Sequence, residues 1–206
     1  MRLSIFPAAL ALSVLTACTV FAQSSGNEFA VTIGALSGNN PDTPAGGLVL
    51  GSSVAFEANY AHKINDTKKW ASLYFEVNAL ATPFRHLSGL PATATSNVRS
   101  VYATPGVRLQ FASQERVTPW LDGGAGYAFY DSSGTNIAGT ATGSSGTANT
   151  YAVEFGGGVD IVASKRYTIR GAAQGFYTGD PNYGVTATGG QFNFVISGGL
   201  VWRFGK

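Results

Sequence analysis

A chain of 206 residues that is 45% hydrophobic and only 12% charged has no run of 18 apolar residues beyond its first twenty-odd positions, which excludes a helical membrane protein. Its formal net charge of +2 gives no basis for a nucleic-acid partner or a strongly acidic substrate.

The N-terminus reads as a processing segment. Met1-Arg2 precedes a mainly apolar stretch from Leu3 to Ala22, ending Val20-Phe21-Ala22 before Gln23. That is the small-residue pattern of a secretory signal cleaved after Ala22. Residues 1–22 are therefore expected to form a signal peptide and residues 23–206 a single domain. Leu15-Thr16-Ala17-Cys18 resembles a bacterial lipobox, in which the cysteine is lipidated and becomes the first residue, so that route competes with the first. Cleavage after Ala22 removes the one cysteine of the chain, and with it any disulfide framework or thiol nucleophile.

From residue 27 onward apolar side chains recur with a period of two. Eight such segments, near 27–36, 50–63, 68–82, 98–113, 117–131, 150–163, 166–178 and 190–204, reach or exceed the roughly 9–11 residues that a tilted strand needs to cross a bilayer. Ile64-Asn65-Asp66-Thr67, Gln114-Glu115-Arg116 and Ser164-Lys165 are tight connections. The connections at 37–49, 83–97, 132–149 and 179–189 are long and rich in Gly, Pro, Ser, Thr and Asn. Short turns thus join segments 2 to 3, 4 to 5 and 6 to 7, as when short turns face a periplasm and long loops face outward. Pro105 lies inside the fourth segment, where it removes a ladder hydrogen bond, so a bulge is expected near Pro105-Gly106.

The two faces of each segment differ in size as well as polarity. The fifth and sixth carry Asp122, Gly124, Gly126, Ala128, Ala152, Glu154, Gly156, Gly158 and Asp160 on one side, mostly small groups that suit a crowded lumen. Leu121, Tyr127, Phe129, Val153, Phe155, Val159 and Ile161 stand on the other, which suits lipid. A soluble eight-stranded barrel of the lipocalin kind is the alternative. Side-chain size and the secretory signal favour an all-β, eight-stranded antiparallel up-and-down transmembrane β-barrel.

The last segment alternates Phe192, Phe194, Ile196, Leu200, Trp202 and Phe204 against Gln191, Asn193, Ser197, Gly199 and Arg203. Its octet Ser197-Gly198-Gly199-Leu200-Val201-Trp202-Arg203-Phe204 resembles the C-terminal assembly signal of bacterial outer-membrane proteins. The likeness rests on Ser197, on Gly199 two residues later, and on the aromatics Trp202 and Phe204. Together with the eight segments, the chain after residue 22 is similar to the OmpA-like and OmpX-like outer-membrane β-barrel family over essentially its whole length. That resemblance implies residence in the outer membrane of a Gram-negative-type bacterium after secretion across the inner membrane. It also implies contact with outer-membrane lipid and lipopolysaccharide and delivery by the barrel-assembly machinery; the chain is expected to be a monomer with no cofactor and no metal.

The inward parity collects Glu57, Glu76, Arg108, Asp122, Glu154, Asp160, Arg170 and Arg203. Charges withdrawn from water need partners. Counting outward from the tight turns places Arg108 opposite Asp122 and Asp160 opposite Arg170, two expected ion pairs. Glu57 and Glu76 fall nearly opposite each other, so a nearby arginine or a retained proton is expected. Tyr60, Phe111, Tyr167, Trp202 and Phe204 suit an aromatic girdle at the short-turn end, whereas the parity of Trp70 and Trp120 points inward, to close the bottom of the lumen. An eight-stranded barrel is just wide enough for its own side chains to fill. The expected function is therefore a structural or surface-interaction role with no large pore and no enzymatic activity. The alternatives are a lipid A-modifying hydrolase and a narrow ion or solute channel. For the first, His86-Leu87-Ser88, expected in a loop, is similar to the His-x-Ser pair of outer-membrane lipid A deacylases, and Glu57 with Glu76 offers paired carboxylates. His62 is expected at the membrane interface, and two distant histidines make no metal site.

Overall fold

The computed structural model describes residues 26–39, 49–67, 70–88, 94–112, 115–132, 136–137, 140–141, 146–179 and 190–205. All eight alternating segments are strands: β1 (Asn27–Asn39), β2 (Ser53–Thr67), β3 (Ala71–Ser88), β4 (Ala94–Phe111), β5 (Val117–Ser132), β6 (Gly146–Val162), β7 (Tyr167–Thr178) and β8 (Gln191–Phe204). Each pairs antiparallel with its neighbours in sequence. The ladder closes from Asn27 opposite Phe204 to Asn39 opposite Phe192, between β1 and β8. Closure leaves no long strand with an open edge, which only helices and closed barrels achieve in lipid. The signal-peptide segment lies outside the described residues.

The strands overrun their expected ends on the long-connection side. β3 continues to Ser88 and β4 begins at Ala94. His86-Leu87-Ser88 is thus strand rather than loop: His86 lies opposite Asn97 and Leu87 opposite Ser96, and Leu87-Ser88 also pairs with Val49–Leu50. Backbone pairing needs no apolar side chains, so a hairpin continues past the point where alternation fades.

The bulge expected at Pro105-Gly106 is absent. Ala103 faces Tyr127 and Gly106 faces Gly124 in one unshifted register, with the rungs between them missing, while Pro105 keeps its place opposite Val77 on β3. A proline that cannot donate weakens one side of the ladder here without adding a residue. Register shifts occur instead between Lys63 and Asn65 on β2 and between Thr82 and Arg85 on β3.

Inward and outward faces separate cleanly. Along β7, Thr168, Arg170, Ala172, Gln174, Phe176 and Thr178 are buried, while Tyr167, Ile169 and Tyr177 are exposed. Among the described residues, 25 large hydrophobic side chains stand exposed on the outer surface. Even at half of the roughly 1.5–3 kcal/mol that burying each would contribute, the total exceeds the roughly 5–15 kcal/mol by which domains are stable. This face is built to be covered by an apolar surrounding.

Candidate functional site

Inward residues of neighbouring strands stack at matching heights, so the lumen is filled in layers. Nearest the short turns lies an ion network. Arg108 on β4 bonds Glu28 on β1 through Nη2, sets Nε 2.9 Å from Glu76 Oε2 on β3 and brings Nη1 to 3.7 Å from Asp160 Oδ2 on β6. The Glu76 contact is an ion pair without hydrogen-bond alignment. Arg170 on β7 donates from Nε and Nη2 to the two oxygens of Asp160, both at 2.8 Å. Arg203 Nε donates to Glu28 Oε1 at 3.0 Å. Three acids thus meet three arginines, and the charge of the layer closes.

Aromatic rings wall this network. The Arg108 guanidinium lies 4.6 Å from the Tyr74 ring centre, and Arg170 lies 5.0 Å from that of Trp120, distances at which a cation is attracted to a ring face. Trp120 Nε1 donates to Asp160 Oδ1 at 3.1 Å. Trp120 has room because its cross-strand partner is glycine: a Cβ on Gly158 would sit 2.5 Å from Trp120 Cζ2 and 2.2 Å from the carbonyl oxygen of Gly171. Gly158→Val is expected to cost about 1–3 kcal/mol through overpacking. The urea midpoint of the folded barrel measures it, and an unchanged midpoint would mean that Trp120 is not confined there.

The middle layer differs in kind. Glu57, Asp122 and Glu154 have no ion-pair partner among the described residues. Thr32 and Ser197 donate to Glu57 Oε2 at 2.9 and 3.3 Å. Glu154 is bonded by Thr104 and accepts from Asn78 Nδ2 at 2.6 Å and Gln174 Nε2 at 2.8 Å. Asp122 accepts one donor, Gln174 Nε2 at 2.9 Å, and its Oδ1 has none.

Above these carboxylates the lumen turns apolar. Leu36, Leu80, Val195, Phe176, Tyr102 and Tyr130 form a buried cluster across it. The Tyr102 ring packs 5.4 Å from that of Phe176 and 5.9 Å, edge to face, from that of Tyr130. Their hydroxyls are satisfied by Asn193 at 3.2 Å and Thr178 at 3.1 Å. Arg85 caps the stack, fully buried, with Nε 3.4 Å from the carbonyl oxygen of Gly51.

Several expectations need correction. Arg108 and Asp122 are opposite in register but form no ion pair, because the long Arg108 side chain turns toward Glu28 and Glu76 while Asp122 is held by Gln174. Glu57 stands opposite Leu80 and Glu76 opposite Ala61, so the two acids are staggered rather than face to face. Arg108 serves Glu76 and leaves Glu57 to hydroxyls. Trp70 does not enter the lumen: it precedes the first residue of β3, is 59% exposed, and stacks on Phe111 with centroids 6.4 Å apart. Alternation holds only while the chain stays in the ladder. His62 is half-buried, with Nδ1 2.9 Å from Asn27 Oδ1.

Two inward charges escaped the sequence reading. Glu28 shares the parity of Thr32 and Leu36 on β1, so alternation alone would have found it. Arg85 was hidden by the register shift after Thr82, which inverts parity for the rest of β3. Of the assembly octet, Ser197 is buried against Glu57 while Trp202 is exposed and lies 5.0 Å from the Phe204 ring. Among the described residues no cluster of three or more His, Cys, Asp or Glu side chains is arranged to hold a metal ion.

No protein-family model and no curated protein matches the chain. Solved structures do resemble it. Surface protein A of Neisseria (NspA) aligns with a TM-score of 0.51 and 16% identity, covering 85% of this chain and 97% of that one. Ail, the attachment invasion locus protein of Yersinia pestis, solved with the heparin analogue sucrose octasulfate, aligns at 0.51 and 14% over 87% and 99%. The outer-membrane protein OprG of Pseudomonas aeruginosa aligns at 0.52 and 11% over 90% and 99%. The continuous ladder, the apolar outside and the filled inside thus amount to the closed eight-stranded barrel fold of small bacterial outer-membrane proteins.

Proposed function

We propose that this protein is a small outer-membrane barrel of a Gram-negative-type bacterium, with a structural or surface-interaction role, no large pore and no enzymatic activity. The observation that carries the reading is the lumen, which side chains of the described residues fill with an ion network, a carboxylate layer and an apolar layer. In this reading the short turns, with the start of β1 and the end of β8, face the periplasm, and the long connections face outward. Surface interaction then belongs to the long connections; that a barrel of this fold can take part in such a role is supported by the similar Ail, solved in complex with a heparin analogue. The chain lives as a monomer among outer-membrane lipid and lipopolysaccharide. Ser197, Gly199, Trp202 and Phe204 address it to the barrel-assembly machinery.

Two measurements test this. The protein should fractionate with outer membranes and migrate faster on a gel unheated than boiled, the behaviour of a closed barrel that resists detergent. In planar bilayers the purified barrel should show no stepwise conductance of porin size. Recovery in the soluble fraction would refute the location, and large regular conductance steps would refute the closed lumen. Lipid mass spectrometry of membranes with and without the protein should show unchanged lipid A acylation.

A further inference from the structure

The short-turn mouth opens into a cavity of about 750 Å³ whose lining crosses the barrel rim. Glu28, Gln110 and Arg203 line it from the inward face, and Trp202 and Phe204 from the outward face. Its charge is one-sided. Among the described residues Glu28 is the one acid in the lining, and it is already committed to Arg108 and Arg203, with Arg170 at 3.7 Å. Lys165 and Arg166, exposed on the turn between β6 and β7, line the same cavity and have no ion-pair partner among the described residues. Arg203 uses Nε on Glu28, and its side chain keeps 25% exposure.

An anion entering this mouth meets uncompensated positive charge, and the aromatic side decides what kind of anion it is. Trp202 and, across the ladder, Tyr167 are exposed on the outer face beside these cations. A cavity that joins basic side chains to an amphipathic aromatic edge fits a molecule with a phosphate at one end and hydrocarbon at the other. We propose that the short-turn mouth binds the phosphate headgroup of an anionic phospholipid. Lys165, Arg166 and Arg203 hold the phosphate, and Trp202 and Phe204 flank the start of the acyl chains. The inference rests on the membrane reading above, and its test uses barrel already shown by gel shift to have inserted, so failure here leaves that reading standing.

Trp202 is the reporter. In a Trp70→Phe background, with Trp120 enclosed in the lumen, the barrel is reconstituted in phosphatidylcholine vesicles containing a minority of brominated lipid, whose bromines quench nearby indole fluorescence. Brominated phosphatidylglycerol should be enriched about fivefold over brominated phosphatidylcholine beside Trp202, the effect of roughly one effective basic contact at a charged surface. The double variant Lys165→Gln/Arg166→Gln should insert with the same gel shift and lose that preference. Equal quenching by both lipids, or a preference that survives in the double variant, overturns the proposal. Saturable binding of inorganic phosphate at matched ionic strength, without lipid preference, assigns the mouth to a soluble anion and overturns it as well.

Discussion

Replacing Arg108 by methionine is expected to remove about 3–5 kcal/mol of stability, the usual cost of breaking a buried ion pair from one side. Arg108 is fully buried and, among the described residues, is the one cation that touches all of Glu28, Glu76 and Asp160. Methionine fills much of the same space, so the loss reports charge rather than volume. Against a total of roughly 5–15 kcal/mol for a typical domain, the variant should fold poorly and lose much of its heat-dependent gel shift. Its urea midpoint in vesicles supplies the measurement. Adding Glu76→Gln to Arg108→Met should recover part of the loss, because it removes one of the stranded carboxylates; coupling of about 1–3 kcal/mol in the double-mutant cycle is expected. Simple additivity would show that the 2.9 Å contact between Arg108 and Glu76 carries no energy.

The opposite result is expected one layer up. Asp122→Asn and Glu57→Gln should each stabilise the barrel, by roughly 1–3 kcal/mol at neutral pH, since each removes a charge that no cation offsets. Asparagine can keep the bond from Gln174 Nε2, and its amide supplies donors on the side where Asp122 Oδ1 has no partner. Glutamine at position 57 can keep both hydroxyl donors on a single oxygen, since Thr32 and Ser197 share Oε2. Glu154→Leu should not follow suit. Three donors converge on that carboxylate from Asn78, Gln174 and Thr104, and leucine removes the charge but leaves them without that acceptor, so a loss of about 1–3 kcal/mol is expected. The contrast between Asp122 and Glu154, neighbours in one layer, separates charge from hydrogen bonding. A destabilised Asp122→Asn would mean that the charge of the middle layer is compensated after all.

The two layers have opposite costs because the strands present different donors at the two heights. The lower one draws arginines from β4, β7 and β8, close enough to share acids. The middle one draws only short polar groups and amides from β1, β3, β4, β7 and β8 to its carboxylates. Such a layer fills the lumen and fixes register through many specific bonds, at the expense of stability that amide substitutions should recover.

By itself the sequence determined the number of long strands, the short turns and the face on which strand residues lie wherever the register runs unbroken. These depend on local alternation and on turns too short to permit another register. The pairing of Asp160 with Arg170 was legible for the same reason, since the turn between β6 and β7 sets them opposite. Alternation could not see past the ladder or through a shift in it, so Trp70 was placed inside and Arg85 was not found. The tertiary structure alone decided which acids Arg108 serves, why Glu57, Asp122 and Glu154 are left without a cation, and how the mouth joins lumen to outer face. Parity assigns a side chain to the lumen, but only closure of β1 on β8 sets the height and distance at which side chains from opposite walls meet. A long arginine then takes whichever carboxylates lie within its reach.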